Sequence, residues 1–304
     1  MNGIRKFGSI NPIIIGKHGG KDDINKLLAS LDRSKLLARK IEKARPELLV
    51  SFCSPEASRV AFGLGIPHIA FSDSPHAKAV MRLSLPYVTK LLTPWIIPKK
   101  DFKGFGINYK NIIQYRTIDA AIIIKNYKQN KQKKLNSKKI ILIRPEESEA
   151  AYITKKSKTV KIIQKIVEKF PDEQKIVLSR YKEQTNELKK IFGTSISLLS
   201  KPVNGKELLS KTDCFIGSGG TMTAESGLLG IPTISVNAVP NKIEDYLVKK
   251  RIIIRSENSN EISREIYESL NNIQIINKRK ENARKLVTSF EDPYQVLLKT
   301  IKSL

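Results

Sequence analysis

Residues 214–232 read CFIGSGGTMTAESGLLGIP, and this stretch decides the predicted fold. It predicts a strand, a glycine turn at 217–220, a short helix and a stop at Pro232. Glycines permit positive φ and carry no Cβ, so a ligand can approach the unpaired N–H groups where the helix begins. Such a helix end attracts phosphate, and Glu225 lies far enough along to accept hydrogen bonds from a ribose. The stretch therefore indicates a nucleotide or nucleotide-sugar site.

The same stretch also fits a simpler interpretation. Glycines occur in any tight turn between strand and helix, and Glu225 could be a solvated carboxylate that favours the positive helix end. The ligand interpretation is preferred because phosphate sites recur at such turns in α/β proteins. By itself, the stretch identifies neither a base nor a sugar.

The composition predicts a folded protein of two domains. At 304 residues the chain exceeds the usual size of one domain. Its 40% hydrophobic and 28% charged residues are ordinary for a folded protein. The sequence contains neither an apolar run long enough to cross a membrane nor the apolar core of a signal peptide, so we expect a cytoplasmic location.

Cysteine and histidine are too few and too scattered to predict a metal site. Cys53 and Cys214 form no C-x-x-C arrangement, and His18, His68 and His76 have no zinc-type spacing. We therefore expect no metal and no bound cofactor. The two thiols are expected to pack beside strand ends as small hydrophobic groups.

The net charge of +26 gives the chain some general affinity for polyanions. However, 41 of its 55 basic residues are Lys spread along the chain, and only 14 are Arg. Base readout and stacking favour Arg and aromatic side chains, and aromatic residues make up only 7% of the chain. Specific nucleic-acid binding is therefore not expected. An anionic membrane surface or a glycan acceptor stays open as a partner.

Short β-rich runs alternate with amphipathic helical runs along most of the chain, which predicts parallel βαβ units. A Lys-rich segment without apolar periodicity, KNYKQNKQKKLNSKK at 125–139, predicts a solvated linker. The predicted organisation is an α/β protein with two Rossmann-like domains facing a cleft. Its parts are an N-terminal domain at 1–122, a basic linker at 123–139, a C-terminal domain at 140–290, and a helix at 291–304 that packs back on the first domain.

Within the first domain, a helix with one apolar face is predicted from Ile24 to Ile41, followed by a buried strand at 48–52. Further strands are predicted at 68–71, 90–93 and 111–115. The first domain has too few elements to be complete, because about eleven uncommitted residues precede the first apolar run.

Polar residues follow several predicted strands, where ligands bind in such folds. In the second domain, Arg144 and Glu146 follow the first strand and Arg180 follows the second. A guanidinium can fork onto phosphate oxygens, so both arginines are candidates for binding a diphosphate. Alternatively they are surface arginines, or Arg144 pairs with Glu146.

In the first domain, Asp73 and His76 follow a strand and could act as a general acid or base. The alternative is that Ser74 caps a helix in which Pro75 is the first residue. His18 and Gly19 lie in a glycine loop that could hold an anion in a backbone nest or form a plain turn. Buried His68 is expected to be structural.

With these residues in view, the chain resembles the archaeal family called domain of unknown function 354. That family is itself similar to GT-B glycosyltransferases and UDP-N-acetylglucosamine 2-epimerases. The resemblance covers nearly the whole chain. It is carried by residues 16–20, 54–67, 73–77, 144–148, 180–181 and 217–225.

The resemblance implies that the second domain binds the donor nucleotide. On that analogy Ser218, Gly219, Gly220 and Thr221 meet the diphosphate and Glu225 the ribose. GT-B enzymes generally use helix dipoles and basic side chains rather than a bound metal to stabilise the leaving diphosphate. Relatives begin with a further strand, a loop and a helix that are absent before Met1 here, so either the start is placed too late or part of the acceptor side is lost.

The sequence thus predicts a nucleotide-sugar-dependent enzyme, of glycosyltransferase or sugar 2-epimerase type, in glycan or cell-surface polysaccharide metabolism. The substrate is expected to be UDP-linked. A second hypothesis is a non-catalytic nucleotide-sugar-binding protein, and a third is a basic nucleic-acid-binding protein. The oligomeric state is left open.

Overall fold

The computed structural model describes residues 12–20, 22–124, 138–146, 156–179, 181–200, 203–236 and 238–304. The chain forms two compact units: unit 1 comprises Met1–Thr117 and Glu291–Leu304, and unit 2 comprises Ile118–Phe290. Most of the predicted linker, residues 125–137, lies outside the described residues. In the described part of the chain, no helix is both long and apolar enough to cross a bilayer.

Unit 1 contains a parallel sheet of four strands in the order β1-β2-β3-β4. Its strands are β1 (Leu49–Ser51), β2 (His68–Phe71), β3 (Lys90–Pro94) and β4 (Ile112–Tyr115). Its helices are α1 (Asp23–Ala44), α2 (Pro55–Gly63), α3 (Lys78–Ser84) and, at the end of the chain, α12 (Pro293–Ile301). Short 3-10 turns span Leu85–Tyr87, Lys99–Phe102 and Tyr109–Asn111.

One face of this sheet is covered by α12. Ile69, Leu92 and Tyr115 are buried on neighbouring strands, and Val296 and Leu297 pack against them. The start of the returning segment is fixed by Glu291, which accepts hydrogen bonds from the end of unit 1 at residues 116 and 117. Apolar packing and these hydrogen bonds together assign residues 291–304 to unit 1.

Two expectations for unit 1 are wrong in detail. Among the described strands of this sheet, β1 lies at the edge rather than being buried, and its Val50 is 44% exposed. The apolar face predicted for α1 is also exposed, with Ile24 and Leu28 each at least half exposed and only Ile41 of that face buried. The half-buried side of α1 instead carries Ser30 and Arg33, which both donate hydrogen bonds to the buried carboxylate of Glu56.

Unit 2 contains six parallel strands in the order β10-β9-β8-β5-β6-β7. Its strands are β5 (Ile140–Arg144), β6 (Gln174–Leu178), β7 (Ser197–Leu199), β8 (Cys214–Gly217), β9 (Thr233–Ser235) and β10 (Ile254–Arg255). Its helices are α4 (Asp119–Ile124), α5 (Lys156–Lys169), α6 (Lys182–Phe192), α7 (Gly205–Ser210), α8 (Gly220–Leu228), α9 (Lys242–Lys249), α10 (Ser259–Asn271) and α11 (Ile273–Thr288).

Apolar cores lie on both faces of the unit 2 sheet. Side chains alternate along each strand, so Ile141 and Ile143 contribute to one core and Leu142 to the other. Burying one such side chain stabilises the folded state by roughly 2 kcal/mol. The parallel sheets of the two units confirm the predicted α/β fold class.

The strand order of unit 2 places a switch point between β5 and β8. The chain runs outward from β5 to β7, returns to β8, and then runs outward the other way to β10. In open α/β sheets the crevice at such a point, beyond the carboxyl ends of the strands, is where ligands bind. The glycine turn follows β8 and therefore lies at this point.

Candidate functional site

The glycine turn meets the end of β5 in register. Arg144, the last residue of β5, pairs with Gly217, the last residue of β8, and Gly217 pairs in turn with Ser235 at the end of β9. Residues directly paired in a parallel sheet place their side chains on the same face. The guanidinium of Arg144 and the hydroxyl of Ser235 therefore flank the glycine turn from both sides.

The backbone of the turn can be formed only by glycine. Gly219 has φ +77° and ψ −168°, a conformation essentially restricted to glycine, and Gly220 has φ +78°. A Cβ on Gly217 would collide with the hydroxyl of Thr223, whose Oγ1 donates to Gly219 O at 2.8 Å. Gly219 is the N-cap of α8 and supplies no side-chain cap, so the first-turn N–H groups of α8 can meet a ligand.

Two buried hydroxyls at this edge have no hydrogen-bond partner among the described residues. They are Ser218 Oγ, in the turn itself, and Ser235 Oγ, on a side chain that is 0% exposed. An unpaired buried hydroxyl costs roughly 1 to 3 kcal/mol, and such groups are rare in native proteins unless water or a ligand pairs with them. These hydroxyls are an independent sign that the turn is built to receive a polar molecule.

Glu225 lies half-buried on α8, beyond the turn. Burial raises the pKa of its carboxyl above the ordinary value, and the nearby charges of Lys206 and Arg144 lower it by less. The charge of Arg144 at the end of β5 therefore acts on the carboxyl of Glu225 on α8. Lys206 was not predicted as a site residue, because its position on α7 has no recognisable motif.

The other predicted residues of this site are placed as follows. Glu146 is 3% exposed, and its backbone carbonyl accepts a hydrogen bond from Gln184 Nε2 at 3.1 Å. Thr221 is exposed in the first turn of α8. Arg180 lies outside the described residues.

An ion pair with a buried carboxylate lies against the turn and was not predicted from the sequence. Glu244 of α9 is 4% exposed, and its Oε2 lies 3.0 Å from the position that a Cβ of Gly219 would take. Arg255 of β10 donates from Nε to Glu244 Oε1 at 2.8 Å and from Nη1 to Asp245 Oδ1 at 2.8 Å. Burial would lower the pKa of Arg255, but its hydrogen bonds and the charges of both carboxylates raise it.

Asp73 and His76 of unit 1 follow β2, as predicted, but they form no hydrogen bond or ion pair with each other. Asp73 is half-buried and its Oδ1 accepts from Ser74 Oγ at 2.7 Å, whereas His76 is exposed. Helix α3 begins at Lys78 with Ala77 as its N-cap, so the alternative in which Ser74 caps the helix is wrong. Both side chains are accessible, but the structure does not preassemble them.

His18 and Gly19 form part of a tight loop against α1. Gly20 N donates to His18 Nδ1 at 3.0 Å, and a Cβ on Gly19 would come within 2.5 Å of the backbone of Asn25. The loop is held by Arg33, whose Nη2 donates to Lys17 O at 3.2 Å. His18 is exposed, so the loop presents its imidazole to solvent.

Among the described residues, no group of His, Cys, Asp and Glu is arranged to hold a metal ion. The thiols of Cys53 and Cys214 are buried, and burial raises their pKa to about 11 and about 12 respectively. Neither is therefore an activated nucleophile. The described residues of unit 2 are instead suited to bind an anion at the N-terminus of α8, with a carboxylate and basic side chains near it.

Comparison with known proteins now assigns the family. The family model described as "Protein of unknown function (DUF354)" matches residues 4–303. The chain belongs to this family. An uncharacterised member from Methanocaldococcus jannaschii is 29% identical over 270 residues, covering 84% of this chain and 76% of its own.

Solved structures share the fold of this DUF354 member. The UDP-GlcNAc 2-epimerase of Neisseria meningitidis, bound to UDP-GlcNAc, superposes with a TM-score of 0.68 at 14% identity, covering 94% of this chain and 83% of its own. The HepE protein of Anabaena, in complex with UDP and glucose, gives 0.63 at 13% identity, covering 93% and 85%. The resemblance to GT-B glycosyltransferases and UDP-GlcNAc 2-epimerases is confirmed at the level of the fold.

Proposed function

We propose that unit 2 binds the nucleoside diphosphate of a nucleotide sugar at the glycine turn. On this proposal the protein is an enzyme of glycosyltransferase or sugar 2-epimerase type, acting in glycan or cell-surface polysaccharide metabolism. The observation that carries the proposal is the junction of α8 with β5. There, Arg144 and the unpartnered hydroxyls of Ser218 and Ser235 surround an uncapped helix N-terminus at the switch point of the sheet.

Each part of the ligand then has a partner of suitable chemistry. The diphosphate meets the N–H groups at Gly219 and Gly220, the positive end of α8, and the guanidinium of Arg144. The ribose hydroxyls donate to Glu225. Burial disfavours the charged form of that carboxylate in the empty site, and charge-assisted hydrogen bonds from a ribose would favour it.

The structural neighbours support a UDP-linked ligand. Two proteins that share this fold were solved with UDP-GlcNAc and with UDP and glucose. At 13 to 14% identity they support the fold and the class of ligand rather than one reaction. The proton-transfer role of Asp73 or His76 is a further part of the proposal.

Binding is tested by calorimetry with UDP, ADP, GDP, UDP-GlcNAc and UDP-glucose. UDP and at least one UDP-sugar should bind, and ligand at about 100 times its Kd should stabilise the protein by about 2.7 kcal/mol. Glu225→Ala should weaken UDP binding about tenfold or more, because charged hydrogen bonds contribute roughly 1.5 to 3 kcal/mol. Glu281→Ala, which removes an exposed carboxylate from α11, is the matched control. Unchanged binding by Glu225→Ala would refute the site.

Turnover is tested separately with the sugar nucleotide that binds. Proton NMR would show either release of UDP or epimerisation of the sugar, and Asp73→Asn or His76→Gln should slow it without changing UDP affinity. If the sugar nucleotide binds but neither UDP release nor epimerisation is seen with any acceptor tested, the protein is a non-catalytic nucleotide-sugar-binding protein instead.

A further inference from the structure

A buried carboxylate lies against the glycine turn, in the first turn of α9, which follows the carboxyl end of β9. Glu244 Oε2 is 3.0 Å from the position of a Cβ on Gly219, and Asn241 Nδ2 donates to the same oxygen at 3.4 Å. Asn241 is also the N-cap of α9, where its Oδ1 accepts from Glu244 N at 2.9 Å. The carboxylate is thus held in place by its own helix end and faces the turn.

A carboxylate in this position works against an anion site. The N-terminus of α8 attracts negative charge, whereas a second negative charge nearby repels a diphosphate. At an effective dielectric constant of about 20, two like charges about 7 Å apart weaken binding by a factor of roughly 50. An uncompensated Glu244 would therefore cancel much of what the helix end contributes.

Arg255 supplies the compensating charge from a rigid element. It is the last residue of β10, in register with Ser235, and its Nε donates to Glu244 Oε1 at 2.8 Å. Its Nη1 binds Asp245 Oδ1 at 2.8 Å, so the guanidinium is held at two points. Glu244 reaches the turn at Gly219, and Arg255 acts on the turn through Glu244.

We propose that Arg255 is a positioning and charge-compensating residue of the nucleotide site. Its positive charge offsets the negative charge of Glu244, while the Glu244 carboxylate packs against Gly219. Arg255 thereby reduces the repulsion between Glu244 and a diphosphate bound at the turn. This inference rests on the proposed nucleotide function of unit 2. It goes further by assigning a role to Glu244 and Arg255, and it predicts that this pair affects binding of the diphosphate but not of the nucleoside.

The test compares a charged and an uncharged ligand that share one nucleoside, UDP and uridine, by calorimetry on the full-length protein. Arg255→Gln should weaken UDP binding at least about tenfold while uridine binding changes less than about threefold. In the double variant Glu244→Gln/Arg255→Gln, UDP affinity should recover most of the loss, because the buried carboxylate is removed with its partner and only the exposed Asp245 loses an ion pair. Arg264→Gln, which removes the same charge from an exposed side chain of α10, should leave both ligands unaffected.

Folding is controlled by circular dichroism and by Arg255→Lys, which keeps the charge and should keep the wild-type ratio of UDP to uridine affinity. Equal loss of UDP and uridine binding in the Gln variant, or no recovery in the double variant, would show that the pair is only structural and would overturn the inference. If Arg255→Gln does not fold, the Lys variant and the double variant are compared instead. A wild-type ratio of UDP affinity to uridine affinity in both supports the inference, and a lowered ratio in both overturns it. If the wild type binds no UDP, both the proposed function and the role of Arg255 are refuted. If the wild type binds UDP but the variants give one of the overturning results, only the role of Arg255 is refuted.

Discussion

Arg144 and Gly217 lie directly opposite each other at the ends of β5 and β8, so the charged end of one strand meets the glycine turn of its neighbour. The two strands are far apart in sequence and become neighbours only because the sheet is doubly wound. This pairing is what joins a helix N-terminus, a guanidinium and the half-buried Glu225 into one site.

Replacing Gly219 by Ala should harm the turn more than replacing Gly220. Both have positive φ, so each substitution is strained by roughly 1 to 3 kcal/mol, and Gly219→Ala more so because ψ −168° places Gly219 in a region essentially restricted to glycine. A Cβ at Gly219 would in addition lie 3.0 Å from Glu244 Oε2 and 3.1 Å from Ala238 Cβ, whereas one at Gly220 would have nothing within 4 Å. Chemical unfolding and UDP calorimetry on both variants measure the difference, and equal losses would contradict the role of the contact.

Glu225→Gln should stabilise the empty protein at neutral pH while weakening UDP binding. Burial raises the pKa of Glu225 above its ordinary value of 4.5, against smaller opposing effects of Lys206 and Arg144. A carboxyl with a raised pKa contributes stability that is fully present below its unfolded pKa and is lost as pH rises through the folded pKa. The advantage of the variant should therefore be present at pH 7.5 and absent at pH 4. Urea unfolding at both pH values checks this, and an advantage independent of pH would contradict it.

Arg33→Gln should destabilise unit 1 by about 2 kcal/mol, because it leaves the 7% exposed Glu56 without its charged partner. Burial would raise the pKa of Glu56, but hydrogen bonds from its own backbone, Ser30 and Ser54 and the charge of Arg33 lower it. Fluorescence of Trp95, the single tryptophan, reports unfolding of unit 1. Arg39→Gln, on an exposed side of the same helix, is the control and should match the wild type.

His68 should make unit 1 sensitive to acid. It is 0% exposed, its Nε2 pairs with Ser51 Oγ at 2.8 Å, and burial lowers its pKa from 6.5 to about 4. A base with a lowered pKa contributes stability that is fully present above pH 6.5 and is lost as pH falls toward the folded value. The wild type should therefore lose about 3 kcal/mol relative to His68→Gln between pH 7 and pH 4.

Trp95 fluorescence in urea at the two pH values gives this difference. His76→Gln, which removes an exposed imidazole from the same unit, should not reproduce it. A constant difference between wild type and His68→Gln across this range would show that His68 does not carry the acid sensitivity.

Local signals predicted most strands of unit 1 and the position of the glycine turn. Strand β2 has the predicted bounds, and β3 and β4 differ from theirs by one residue, because β-rich composition between turn residues is a local signal. The glycines at 217, 219 and 220 favoured a turn in any surroundings, since glycine adopts positive φ without steric cost. The family resemblance rested on these same local motifs and was confirmed.

The choice of distant residues that share the site depended on tertiary contacts. Glu244 meets Gly219 and Arg255 meets Glu244 through the packing of α9 and the position of β10, and no local pattern encodes such contacts. Tertiary packing likewise left Ile24 of α1 exposed and placed Ser30 and Arg33 against the buried carboxylate of Glu56. Local propensity sets where elements begin and end, but charge pairing and burial across the fold select the faces and neighbours that make a site.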